Sequence, residues 1–193
     1  MPIATARRIR FTVAEYLRMS EAGIFVMFGG RRTELLEGRI IKMAPQLDPH
    51  MWAISKLNRL LVAATTQKDW LIVEGTLYLS DDSAPEPDFC LFDVPEGTPQ
   101  KKRPLPILVI EVSNKTYNRD SRAKMRIYAK AGIQDYWIVN LRDRRVEVYR
   151  KPENPTGAGK GWHYASVKHL KPGQSVAMLA RPSVSFPVNE LLP

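Results

Sequence analysis

The stretch Pro106-Ile107-Leu108-Val109-Ile110-Glu111-Val112-Ser113 constrains the fold more than any other, because it sets one carboxylate inside an unbroken apolar run. Continuous β-branched and aliphatic residues describe a strand covered on both faces, as at the centre of a parallel or mixed sheet. Glu111 does not fit such a strand unaided. Taking an ionised carboxylate out of water costs roughly several kcal/mol unless a cation or hydrogen bonds compensate it. A metal ion, Lys124 on the following helix, or both are the candidates for that compensation.

The rest of the chain offers such a strand a sizeable core. Its 193 residues suit one domain with room for a small appendage, and no repeat or low-complexity tract divides them. Lys and Arg number 29 against 20 Asp and Glu, a net charge of +9. Such an excess favours polyanions: nucleic acid first, a membrane surface a weak second. A single cysteine, Cys90, excludes an intrachain disulfide and a cysteine-based zinc cluster. No run approaches membrane-spanning length, and the first ten residues lack the apolar core of a signal peptide. A reducing, cytoplasmic setting is the expectation.

Local patterns supply the elements. Thr12-Val13-Ala14-Glu15 is a capping box and predicts a helix over residues 13–22, closed by Gly29-Gly30. Residues 33–36 and 39–43 read as a hairpin turning at Glu37-Gly38. From His50, the spacing of Ile54, Leu57, Leu61 and Ala64 predicts a helix of about four turns. Residues 70–73 and 76–79 read as a strand pair around Gly75. Phe89-Cys90-Leu91-Phe92 is a buried strand entered by Asp88, followed by a loop over 93–104. A second helix spans 118–131 and stops at Gly132. Strands over 133–141 and 144–150, a Pro/Gly linker over 152–161 and a β-rich tail complete the chain. Strands broken by two core helices indicate an α/β or α+β mixed-sheet fold.

The helix over 118–131 carries the sharpest internal evidence. At 100° per residue, Arg119, Arg122, Arg126 and Lys130 form an outer basic stripe, while Lys124 falls on the opposite face with Ile127, Tyr128 and Ala131. One reading gives Lys124 an i, i+4 pair with Asp120, worth about a few tenths of a kcal/mol, with its head escaping to water. The other brings it to Glu111 and Asp88. Two apolar strands that each carry an acid, facing a helix with an inward lysine, suit phosphodiester hydrolysis: carboxylates hold Mg²⁺, and the ammonium orients the attacking water.

Pro87-Asp88, Glu111-Val112-Ser113 and Lys124 resemble the PD-(D/E)XK nuclease superfamily. Together with Glu34-Leu35-Leu36-Glu37-Gly38, His50, Arg119-Asp120, Tyr128-Ala129-Lys130-Ala131-Gly132 and Asp135-Tyr136-Trp137-Ile138-Val139, they are similar to the Uma-two family of restriction-type endonucleases within it. The resemblance runs from about residue 12 to 150. It implies a restriction-endonuclease-like core over 1–150, with 151–193 a β-rich extension of the same domain. It also implies an endonuclease that cuts DNA with Mg²⁺, or Mn²⁺ in its place, leaving a 5′-phosphate and a 3′-hydroxyl. Asp88, Glu111 and Val112 would hold the metal, Glu34 would be an additional acid, and Lys124 would complete the site. Ser113 stands where the superfamily motif has its lysine, so the assignment depends on Lys124 reaching Glu111 from the helix.

Outside that set, His50, Lys101, Lys102 and Arg103 are candidates for contact with nucleic acid, as are Arg142, Arg144 and Arg145. For His50 a helix-capping or packing role is the alternative, and for the basic runs a solvated surface. Glu37 reads as a turn residue, and Tyr136 and Trp137 as core. Double-stranded DNA is the expected partner and a homodimer the expected assembly, since two sites on a two-fold axis cut both strands most simply. Two rival readings remain open: a nucleic-acid-binding protein that keeps a nuclease fold without turnover, and a structural module whose acids form salt bridges.

Overall fold

The computed structural model describes residues 9–27, 29, 32–157 and 161–193. Gly30 and part of the expected linker lie outside them. The central strand is the one anticipated: β5 (Leu108–Ser113) is buried along its whole length. It occupies the interior of a six-stranded sheet ordered β3-β4-β5-β6-β7-β8. The members are β3 (Trp70–Val73), β4 (Phe89–Phe92), β5, β6 (Asp135–Asn140), β7 (Arg145–Glu153) and β8 (His163–Leu170). Only the β5–β6 pair is parallel, and the other four are antiparallel. A parallel neighbour requires a crossover, and the helical segment between β5 and β6 provides it.

Period-two alternation assigns the faces of β5. Leu108, Ile110 and Val112 join a core with Ala53, Leu57 and Leu61 of α3 (Asp48–Ala64), whereas Val109 joins a core with Tyr128, Ala129 and Ile133. Glu111 shares the face of Val109, the face covered by α4 (Met125–Ala131). Tyr136 and Trp137, on opposite faces of β6, are both fully buried. α4 ends at Gly132, whose φ of 84° is the left-handed cap conformation.

Ahead of the sheet lie α1 (Val13–Glu21), with its capping box formed, α2 (Ile24–Met27) and the hairpin β1 (Thr33–Leu36) and β2 (Arg39–Lys42). Tyr16, Phe25, Leu35 and Ala84 hold this layer together. At the other end, the hairpin β9 (Ser175–Ala177) and β10 (Ser185–Pro187) and α5 (Val188–Leu191) contribute Val176, Met178, Phe186, Val188 and Leu191 to the α3-side core. The tail is thus built into the molecule: β8 is the sixth strand, and Asp135 bonds Leu179 N at 2.7 Å.

Three local readings change. The strand expected over 76–79 does not form; β3 pairs with β4, Trp70 opposite Phe92 and Val73 opposite Phe89. Glu74 adopts a positive φ of 51° and turns the chain away, so that Leu77 N bonds Pro85 O instead. β7 continues through Pro152 to Glu153, because His163 and Tyr164 of β8 pair with that end. The helix after β5 is not uniformly α-helical: Arg119–Lys124 is a π-helical turn that passes into α4. Among the described residues no helix is long and apolar enough to cross a membrane.

Candidate active site

The β4–β5 register sets the two sequence-predicted acids side by side. Phe89 lies opposite Ile110, so the next pair outward is Asp88 and Glu111, and the one after is Pro87 and Val112. Val112 N donates to Asp88 Oδ2 at 2.6 Å. Pro87 has no N–H to return to the Val112 carbonyl, which leaves that oxygen without its sheet donor.

Lys124 comes to these acids from the π-helical turn. Its Nζ donates to Glu111 Oε1 at 2.8 Å, approaches Glu34 Oε2 at 3.1 Å and donates to Glu86 O at 3.2 Å. The lysine side chain is 1% exposed, Glu34 0% and Glu111 5%. Tyr128 OH, one turn on, donates to the same Glu111 Oε1 at 2.6 Å. Oε1 is therefore fully engaged, while Oε2 has no hydrogen bond within the described residues. Burial pushes the Glu111 carboxyl well above the usual carboxylate range, and Asp120, Asp88 and Glu34 add to it against the Lys124 ammonium. Burial also works against the Lys124 charge, but Glu111, Glu34 and Asp120 outweigh it and raise the lysine above its ordinary value.

A pocket of about 100 Å³ opens beside this cluster, lined by Asp88, Glu111, Val112, His50, Arg119 and Lys124 among others. His50, in the first turn of α3, sets Nε2 3.4 Å from Asp88 Oδ2. Burial disfavours its charge, yet the hydrogen bond and charge of Asp88 raise its pKa overall. Ser113, at the motif's lysine position, is fully buried and donates to Asp120 Oδ2, which also accepts from Thr116 Oγ1 at 2.6 Å. The serine secures the loop between β5 and the π turn.

A family model described as "Putative restriction endonuclease" matches residues 13–189. The chain belongs to the Uma2 family. No curated protein matches it. Among solved structures, a "putative nuclease belonging to DUF820" from Anabaena variabilis ATCC 29413 is similar, with a TM-score of 0.61 and 17% identity, covering 82% of this chain and 88% of that one. The mixed sheet with flanking helices is thus a fold the Uma2 chain shares with that structure.

Of the residues singled out in the Uma2 sequence, Glu34, Asp88, Glu111, Val112, Lys124 and His50 gather at one end of the sheet. Lys101, Lys102 and Arg103 do not. They lie in the β4–β5 connection, at the Leu91–Leu108 end of the register and so at the opposite end of both strands from Asp88 and Glu111. Arg103 stacks its guanidinium over Trp70 at 4.1 Å and Phe92 at 5.2 Å. Arg142 and Arg145 pair with Asp143, and Arg145 also with Glu147. Of the two readings of Lys124, the structure takes the one that brings it to Glu111, and no Lys124–Asp120 ion pair forms among the described residues. Asp120 Oδ2 is taken instead by Ser113 Oγ and Thr116 Oγ1.

Residues not assigned a role from sequence include Tyr128, Asp120 and Arg119. The helical period puts Tyr128 on the inward face without naming its partner. A buried tyrosine hydroxyl needs a partner, and the adjacent strand carried an acid that also needed one.

Proposed function

We propose that this protein is a Mg²⁺-dependent endonuclease that hydrolyses phosphodiester bonds of double-stranded DNA, a restriction-type activity, with Mn²⁺ able to replace Mg²⁺. The observation that carries the reading is the meeting of Glu34, Glu111 and Lys124, three buried charges from three separate segments, beside the pocket that Asp88 also lines. A module made only for stability gains little from such a cluster, since well-packed apolar residues often do as well.

The residues present fit Mg²⁺. Among the described residues no group of three or more His, Cys, Asp and Glu side chains is arranged around a common ion. Mg²⁺ does not require one, because it keeps several waters and takes only one or two carboxylates. Asp88, Glu111 through Oε2 and the Val112 carbonyl would hold it, all of them hard oxygen donors. When bound it supplies Lewis acidity toward the phosphoryl oxygens.

The protein's own groups do the rest. Lys124 stays charged. With its three N–H groups on Glu111, Glu34 and the Glu86 carbonyl, it acts through its field, offsetting the charge that builds on phosphorus. It meets the attacking water only by giving up one of those acceptors. Glu34 fixes the ammonium from the side opposite Glu111. Tyr128 holds Oε1 of Glu111, keeping Oε2 toward the pocket, and His50 steadies Asp88 from α3. Water adds to phosphorus as the 3′-oxygen leaves and takes up a proton, giving a 5′-phosphate and a 3′-hydroxyl. A homodimer acting in the cytoplasm completes the proposal, with one site for each strand. Lys101 and Lys102, exposed and away from the pocket, would meet the DNA backbone at a distance from the cut.

Incubation with supercoiled plasmid tests the reading. Nicked and linear products are expected with Mg²⁺ and not with EDTA. Binding without any cleavage would favour the rival nucleic-acid-binding protein.

A further inference from the structure

Four cationic side chains line the pocket: Arg32, Lys115, Arg119 and Lys124. Two are committed elsewhere. Arg32 lies 3.3 Å from Glu74 and 3.8 Å from Glu86, and Lys124 is held by Glu34 and Glu111. Lys115 is exposed. Arg119 is different. Its side chain is only 23% exposed, with Nη1 3.4 Å from Glu34 Oε1 and Nε 3.6 Å from Asp120 Oδ1. Yet Arg119 Nε, Glu34 Oε1 and Asp120 Oδ1 are all buried without a hydrogen-bond partner in the described residues. The guanidinium stands at ion-pair distance from both acids without closing a hydrogen bond to either, so its donors are not committed and can turn to a ligand in the pocket.

The backbone explains how this arginine came to face inward. On a continuous α-helix it would join the outer stripe of Arg122, Arg126 and Lys130. The extra residue in the π-helical turn rotates it onto the pocket side, while Arg126 pairs with Glu37 at 2.7 Å and Arg122 and Lys130 stay exposed. π turns of this kind occur frequently at functional sites.

We propose that Arg119 is the phosphate-binding residue of this pocket: its planar fork takes two oxygens of a phosphodiester and leaves Glu34 to Lys124. A guanidinium suits this better than an ammonium, because its parallel N–H groups match a phosphate in a bidentate manner. The inference deepens the nuclease reading and rests on it.

The test is binding of a short fluorescein-labelled DNA duplex to the full chain in EDTA, followed by anisotropy across a salt series. Arg119→Gln should bind about tenfold more weakly, and its slope of log affinity against log salt should fall by about one. Arg119→Lys should recover part of the slope and little of the affinity. A double variant, Glu34→Gln with Arg119→Gln, separates the roles: it stays weak if Arg119 holds phosphate. Recovery of wild-type binding in the double variant would mean that Arg119 only neutralises Glu34, and would overturn the inference. Thermal melting of each variant checks folding, and Arg119→Lys, the mildest change, carries the test if Arg119→Gln is unfolded. Wild-type protein that binds and cuts DNA, alongside variants with unchanged affinity and slope, overturns this inference alone. Wild-type protein that neither binds nor cuts overturns the nuclease reading with it.

Discussion

Lys124 Nζ and Glu111 Oε1 lie 2.8 Å apart in a buried cluster at one end of the sheet, although their residues come from a helical turn and a strand. The contact answers the question raised by a carboxylate in an apolar strand. It also leaves Glu34 sharing the same ammonium at 3.1 Å, so Lys124 is the cation that the two acids have in common.

Removing that cation should therefore cost both stability and turnover. Lys124→Met keeps most of the stem and strands two buried acids, a change expected to destabilise by about 3–5 kcal/mol. Urea unfolding measures the loss. Adding Glu34→Gln should restore part of the stability and none of the cleavage.

Tyr128→Phe removes one hydroxyl and leaves the packing against Tyr136, whose ring centroid is 4.9 Å away. The lost hydrogen bond goes to a carboxylate, a class worth about 1.5–3 kcal/mol. With Oε1 released, Glu111 can rotate, and the Mg²⁺ concentration needed for half-maximal cleavage should rise several-fold. Titrating Mg²⁺ at fixed DNA shows whether it does.

Arg103 should matter for stability more than for the chemistry. Its stacking on Trp70 and Phe92 is the kind of contact that contributes about 0.5–2 kcal/mol. Arg103→Ala should lower the melting temperature accordingly. Lys101→Ala with Lys102→Ala should leave the melting temperature unchanged and reduce the salt slope of DNA binding.

Acid should loosen the tail. The Arg181 guanidinium, helped by Thr66 against some burial, holds the Asp69 carboxyl at about 2, below its ordinary 3.8. A lowered folded-state value means that the pair stabilises the protein fully above about pH 4 and loses that contribution as pH falls through 2. After solvent screening the contribution is on the order of 1 kcal/mol. Melting curves of wild type and Asp69→Asn should differ at neutral pH and converge near pH 2.

The site was legible wherever burial and charge conflicted within a few residues. Glu111 and Asp88 each stood beside an apolar strand, and the helical period turned Lys124 toward them. Partner choice between strands was not legible in this way. Residues 70–73 are followed by two apolar segments, 76–79 and 89–92, and only the better-buried β4 decided their pairing. The π turn was invisible for another reason. Periodicity presumes 3.6 residues per turn, so a single wider turn misplaces every residue ahead of it, Arg119 and Asp120 included. The place of the basic triplet was not legible, because charge density says nothing about which end of a strand a loop joins.

Cleavage of supercoiled plasmid in Mg²⁺ by the wild type, Asp88→Asn and Lys124→Met, purified in parallel, tests the central claim most directly. The account predicts nicking by the wild type, at least a hundredfold less, roughly, by either variant, and none in EDTA. Equal cleavage by all three proteins, or none by a folded wild type, would contradict it.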